Sequence, residues 1–273
     1  MMAFHGIHDA DLRVKGRTLI KIELTDLDFH IGRAPVLRGL NALMQHGELV
    51  ALMGESGSGK TTLLNVLGGR AGYGWVSGST GQTMMLNGRP YQPTSMQNLI
   101  GFVPQAHLVF KELTVYENLH FAAKCRLARH VPAKHRQQLV EMALDLLGLQ
   151  QCRHFVCDPL IGERLSGGQM RRVGIGIELV CDPPIMLLDE PTSSLDAVNT
   201  RLVMAALKDL CRRGVLVIAS LHQPRHAVYE MLDRLLLLRK GELIYGGMRQ
   251  DALLYFGLMG YHLPLQVNPG MHE

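Results

Sequence analysis

The sequence predicts an α/β fold: a mainly parallel sheet with a helical block inserted into it. Three observations carry that prediction. Short, continuously apolar runs, typical of strands covered on both faces, recur from Leu49 to Met53, in "PIMLL" and in "GVLVIASL". Helical periodicity separates such runs, as in "DAVNTRLVMAALKDLCRRG". From roughly Gln105 to Leu179 strand signals give way to consecutive helix patterns.

The elements follow in order. "TLIKIELTDLDFHIG" alternates weakly and reads as strands, and the Leu49–Met53 run leads directly into a glycine loop. "TTLLNVLGG" is a helix stopped by Gly68 and Gly69. "TMMLNGRP" is a strand ending in an Asn-Gly turn, and "LIGFVPQ" is a strand ending at Gln105. Two helices fill Thr114 to about Leu147, with Pro132 near the start of the second and Gly148 beyond its end. "ERLSGGQMRRVGIGIELV" then opens a third, with Ser166 as its N-cap. Two buried strands with a helix between them, the hairpin-like "RLLLLRKGELIYGG" and a last helix, "DALLYFGLMG", complete the chain.

Composition narrows the function. A chain of 273 residues, 47% hydrophobic, is long enough for one large domain, or for two small ones sharing a core. Its net charge of +4 is mild and its basic residues are scattered, which does not suggest nucleic-acid binding. The five cysteines (Cys125, Cys152, Cys157, Cys181, Cys211) are odd in number and form no C-x-x-C pair, so a reducing compartment is expected rather than a disulfide framework. Cys152, His154 and Cys157 lie close together but have no evident fourth ligand, and buried or incidental thiols are the favoured reading over a metal site. No run approaches the roughly 20 apolar residues that span a bilayer. The opening "MMAFHGIHDADLRVKG" lacks a secretory layout. Taken alone, the chain reads as soluble.

The chemistry lies at strand ends. Gly54-Glu55-Ser56-Gly57-Ser58-Gly59-Lys60-Thr61, followed by Thr62, fits G-x-x-x-x-G-K-[ST] between a strand and a helix. Its backbone donors and Lys60 suit the β- and γ-phosphates of a nucleotide, and the Thr61 hydroxyl suits Mg²⁺. In "PIMLLDEPTSSLD" an apolar strand carries Asp189 to the ligand-binding edge of the sheet, where it is placed to hold Mg²⁺ through its waters. Glu190, one residue on, is placed to deprotonate an attacking water. Gln105 and His222 end two further strands on the same expected edge, His222 as a partner for the γ-phosphate. Ser166, Gly167, Gly168 and Gln169 form a second anion cradle at a helix start. If the helical block projects sideways, this cradle faces the γ-phosphate of another copy, giving two composite sites in a two-fold pair. Nucleotide binding would close the pair and hydrolysis would open it.

These residues resemble the nucleotide-binding domain of ATP-binding-cassette (ABC) transporters. "GESGSGKT", Gln105, "LSGGQ", "IMLLDE", "SSLD" and His222 match that family's Walker A, Q-loop, signature, Walker B, D-loop and switch histidine, in order and over most of the chain. "LGGRAGYGWVSG", "GIGIELV", "LHQPRHAVYEMLDRLLLLRKGELIYGG" and a tail bearing Asn268 and Pro269 are similar to the G subfamily, the white/pleiotropic-drug-resistance type. The resemblance implies a RecA-like P-loop NTPase core with an N-terminal antiparallel β subdomain. Residues 1–273 would form one ABC ATPase domain: an antiparallel β and Walker A part (1–104), a helical signature subdomain (105–179), a Walker B and switch-histidine part (180–250) and a tail towards a transmembrane domain (251–273). It further implies ATP and Mg²⁺ as ligands, a second nucleotide-binding domain and a transmembrane domain as partners, and a place at the cytoplasmic face of a membrane. Gln105 would link Mg²⁺ to the membrane domain, and Asp196 would communicate across the pair.

Two departures stand out. Many members place an adenine-stacking ring upstream of Walker A, where this chain has Ile31; Phe29 is a weak substitute, and stacking is typically worth about 1–3 kcal/mol. "IGERLSGG" is also a few residues shorter than the G-subfamily loop. The competing readings are a soluble ABC ATPase acting on ribosomes or chromosomes, and a nucleotide-binding regulator without turnover. The first usually carries paired cassettes with a charged linker, or a long coiled coil, and neither is present. Glu190 and His222 speak against the second.

Overall fold

A computed structural model of the chain describes residues 13–14, 17–78, 83–106, 108–158, 160 and 165–261. The loop "IGER" ahead of the signature and the tail with Asn268 and Pro269 lie outside the described residues.

Short strands β1 (Arg13–Val14) and β2 (Arg17–Thr18) pair antiparallel and precede the long hairpin of β3 (Lys21–Ile31) and β4 (Ala34–Gln45). The chain continues through β5 (Leu49–Met53), α1 (Lys60–Leu67), β6 (Trp75–Ser77), β7 (Met84–Leu86), β8 (Arg89–Pro90) and β9 (Ile100–Val103). Helices α2 (Val115–Arg126), α3 (Ala133–Leu146) and α4 (Gly167–Leu179) follow. The last part comprises β10 (Ile185–Leu188), α5 (Ala197–Arg212), β11 (Leu216–Ser220), α6 (His226–Tyr229), β12 (Arg234–Arg239), β13 (Glu242–Met248) and α7 (Arg249–Leu258). The strand read in "TMMLNGRP" is β7, and it ends in the expected turn at Asn87 and Gly88, both at positive φ, which leads straight into β8 as a tight hairpin.

The central sheet has the order β13-β12-β5-β11-β10-β9. All its neighbours are parallel except β12 and β13, which pair antiparallel at one edge. Every residue of β5, β9, β10 and β11 is buried, which explains why they read as unbroken apolar runs. Strand alternation sends successive residues to opposite faces. Leu49, Ala51 and Met53 join the core beneath α2 to α5, whereas Val50 and Leu52 join the core formed with α1 and the β3–β4 hairpin. The helical segment therefore shares one continuous core with the sheet, Leu119, Val140 and Val173 packing with Val217 and Leu188. At its near end, Glu178 of α4 accepts the Phe102 N–H of β9 at 3.1 Å.

Parallel pairing in register brings four strand ends to one edge. Leu188 lies opposite both Val103 and Ala219, and Ala219 lies opposite Ala51. The segments leaving that edge begin at Gly54, Pro104, Asp189 and Leu221. Three helices entering the neighbourhood start on side-chain caps. Thr114 with Glu117, and Ser166 with Gln169, form reciprocal capping boxes, and Asp196 caps α5 through the Asn199 N–H.

Candidate nucleotide-binding site

The loop between β5 and α1 owes its shape to glycine. Gly54 has φ 141°, and a side chain there would collide with the Leu238 carbonyl. Gly59, at φ 106°, is the N-cap of α1, and a Cβ on it would lie 2.7 Å from Leu37 Cδ2. The β12–β13 turn supports the loop from behind, Gly241 donating to the Ser58 carbonyl at 3.0 Å. Lys60 is buried at the start of α1 and donates to the Gly54 and Glu55 carbonyls at 2.6 and 2.7 Å. Ser58 Oγ is buried without a hydrogen-bond partner. Glu55, Ser56 and Gly57 form the exposed rim, and Thr62 is half-buried one residue beyond Thr61. The first turn of α1 holds no acidic residue, so its N–H groups and positive dipole end stay suited to an anion.

Thr61 faces the end of β10, its hydroxyl donating to Asp189 Oδ2 at 3.0 Å. Ser220, the last residue of β11, donates to Asp189 Oδ1 at 2.7 Å, and its Oγ accepts the Glu190 N–H at 2.7 Å. Glu190 itself has φ 48°, in the left-handed region, which turns the chain sharply after β10. Gln105 Nε2 donates to Glu190 Oε2 at 2.8 Å, so two neighbouring strand ends meet through their side chains. Arg171, on α4, lies behind this edge with 3% of its surface exposed. It donates to the carbonyls of Pro104 at 2.7 Å, Gln105 at 2.9 Å, Asp189 at 2.6 Å and Pro191 at 3.3 Å. Burial pulls the Arg171 guanidinium below its ordinary pKa, while the charges of Asp189 and Glu190 push the other way.

Among the described residues, no group of three or more His, Cys, Asp or Glu side chains is placed to hold a metal ion. Cys152 and Cys157 are buried, the first donating to the Leu149 carbonyl and the second receiving Asn118 Nδ2. The Thr61–Asp189 pair fits a different kind of ion. Both offer hard oxygen atoms, and their 3.0 Å separation is close to the roughly 3 Å between adjacent ligands of an octahedral Mg²⁺.

The other expected site residues form a second group. Ser166 and Gly167 are exposed at the start of α4, whereas Gly168 is buried against the Asn199 side chain, leaving no room for a Cβ. Ser166 Oγ accepts the Gln169 N–H at 3.1 Å, and Gln169 Oε1 accepts the Ser166 N–H at 2.8 Å. Asp196 receives both the backbone and side-chain N–H groups of Asn199, which hold its carboxyl below its ordinary pKa. The signature turn and the Asp196 turn thus stand side by side. His222 is exposed just beyond β11, and no described residue hydrogen-bonds its ring.

One expectation is corrected. Phe29 is no candidate for adenine, because it falls on the inward face of β3. There it packs edge-on to Tyr73, and its ring closely approaches Gly74. Ile31, 42% exposed at the strand end, keeps an accessible side chain. Arg171, Ser220 and Gly241 are the site's supports that sequence reasoning missed. The available signals were a charge within the buried face of α4 and a hydroxyl closing an apolar strand.

Fold and site together define a phosphate-loop nucleotide-binding domain. The family model described as "ABC transporter" matches residues 37–193, more than half of the chain. The chain belongs to this family. It is 42% identical over 240 residues to ABC transporter G family member 1 of Dictyostelium discoideum, covering 86% of this chain and 29% of that protein. Against ABC transporter G family member 28 of Arabidopsis thaliana it is 36% identical over 262 residues, covering 95% and 23%. The chain therefore spans between a quarter and a third of the first relative's length and just under a quarter of the second's. Its fold matches cbiO1 from Clostridium perfringens, described as part of the ABC transporter complex cbiONQ, with a TM-score of 0.73 at 24% identity over 88% of this chain and 92% of that one. Among the described residues, no helix is long and apolar enough to cross a membrane.

Proposed function

We propose that this domain is the Mg-ATP-hydrolysing motor of a membrane transporter, acting as one of two paired cassettes at the cytoplasmic face of the membrane. The Gly54–Thr62 loop binds the β- and γ-phosphates through its backbone N–H groups, with Lys60 adding positive charge. Thr61, Asp189 and the side-chain oxygen of Gln105 are the ligands for Mg²⁺, which when bound offsets charge on the phosphates. Glu190 accepts the proton of the attacking water, Gln105 holds the Glu190 carboxylate in place, and His222 donates to the γ-phosphate.

The observation that carries this reading is the Thr61–Asp189 hydrogen bond, which joins the phosphate loop to the acidic strand end across 128 residues of sequence. The outward exposure of Ser166 and Gly167, beside Asp196, supports a signature that addresses the nucleotide on a second cassette. Closure of the pair on ATP and its release after hydrolysis then follow as a switch built from phosphate contacts. The transmembrane domain is the partner that such a motor serves, and the relatives' names favour it over action on ribosomes or chromosomes.

Complementation tests the composite site. Lys60→Ala should lose tight binding of a fluorescent ATP analogue, and Ser166→Arg should keep it while losing ATP-dependent pairing and hydrolysis. Gly168 is left unchanged in this test because Asn199 occupies the space beside it. Mixing the two inactive variants should restore up to one working site per mixed pair. Continued ATP-dependent pairing by Ser166→Arg, or loss of its monomeric nucleotide binding, refutes the trans-acting role.

A further inference from the structure

Ser220 is fully buried at the end of β11, and its hydroxyl has two partners from the adjacent strand end. The Glu190 N–H can only donate, so Ser220 Oγ must accept from it. The single Ser220 proton is thereby directed to Asp189 Oδ1. Asp189 Oδ2 takes the Thr61 hydroxyl, so each carboxylate oxygen has its own donor and the carboxylate plane is fixed. On the other side, the same oxygen anchors the peptide of Glu190, a non-glycine residue held at φ 48°. One buried hydroxyl therefore ties the proposed metal ligand to the proposed base.

We infer that Ser220 is a positioning residue for both groups: it orients the Asp189 carboxylate towards the divalent cation and holds Glu190 in the turn that aims its side chain at water. The inference rests on the roles proposed above for Asp189 and Glu190. Partners behind metal ligands commonly alter metal affinity or activity by about 10–100-fold when removed. Alanine at 220 removes both contacts, leaving the Asp189 carboxylate one donor short and the Glu190 N–H without its acceptor. Cysteine keeps nearly the same volume but supplies only a weak donor and a weak acceptor.

The test is Mn²⁺ binding, followed by electron paramagnetic resonance in the presence of a non-hydrolysable ATP analogue, alongside steady-state ATPase kinetics. Ser220→Ala is expected to weaken Mn²⁺ binding and to lower kcat, each by about tenfold or more. Affinity for the fluorescent nucleotide in metal-free buffer should stay near wild type, because the phosphate loop is untouched. A general packing role would instead lower metal-free nucleotide binding in step with the rest, and that result overturns the assignment. Should Ser220→Ala fail to fold, Ser220→Cys carries the test: the same loss of Mn²⁺ affinity supports the inference, and wild-type affinity overturns it. Glu190→Gln separates the two levels. If it is inactive while Ser220→Ala keeps wild-type kcat and Mn²⁺ affinity, the inference on Ser220 falls alone. Undiminished turnover by Glu190→Gln removes the proposed base and, with it, the premise.

Discussion

Replacing Arg171 by methionine should cost a large share of the domain's stability. Its guanidinium makes four hydrogen bonds, all to backbone carbonyls and none to a carboxylate, and its side chain is almost wholly inside the protein. A hydrogen bond to a charged group contributes about 1.5–3 kcal/mol net, so simple addition would give roughly 6–12 kcal/mol. That sum is an upper bound: the 3.3 Å contact to Pro191 is long, the four bonds share one rigid group, and methionine regains part of the packing. The expected loss for Arg171→Met is about 3–5 kcal/mol, a large part of the roughly 5–15 kcal/mol that holds a typical domain folded. Arg171→Lys keeps the charge but cannot serve all four carbonyls, on the two segments that follow β9 and β10, with one ammonium, and should lose about 2 kcal/mol. Urea unfolding followed by circular dichroism at neutral pH measures both. A methionine variant within about 1 kcal/mol of wild type would show that the carbonyls find other donors, and the clamp would lose its energetic basis.

Two further predictions concern the thiols and the helix caps. Burial pushes the Cys211 thiol up to about 12 and the Cys157 thiol to about 11, whereas Cys125 is exposed. Native-state alkylation read by mass spectrometry should therefore modify Cys125 first, and Cys211 and Cys157 only on unfolding. The second prediction is acid-sensitive. Cap hydrogen bonds from Asn199 and Thr114 lower the pKa values of Asp196 and Glu117 in the folded state. Their contribution is thus present above the unfolded carboxylate values, near pH 4, and is lost as pH falls through the lower folded ones. Asp196→Asn keeps an N-cap without a titrating group, so its urea midpoint should fall less than that of wild type between neutral pH and about pH 3. Equal falls in the two proteins would remove Asp196 from the acid response.

What was legible in the sequence was local. The parallel strands announced themselves because burial on both faces demands unbroken apolar runs, and the phosphate loop because its backbone path requires glycine where side chains would collide. Helix starts were readable for a similar reason, since Ser166 and Asp196 satisfy N–H groups only three residues away. Phe29 was misjudged because the alternation of β3 is interrupted by register shifts that no composition rule reveals. Those shifts decide which rings face the core. Arg171 and Ser220 stayed hidden for a different reason. A guanidinium that binds carbonyls leaves no complementary residue type in the sequence, because every amino acid supplies a carbonyl. Ser220 likewise finds a backbone N–H and a carboxylate 30 and 31 residues back, a pairing that exists only once β10 and β11 lie in register. Sequence can thus name candidate groups for the chemistry, because chemistry selects side chains. The groups that aim them bind largely to the backbone, and only the folded strand ends identify them.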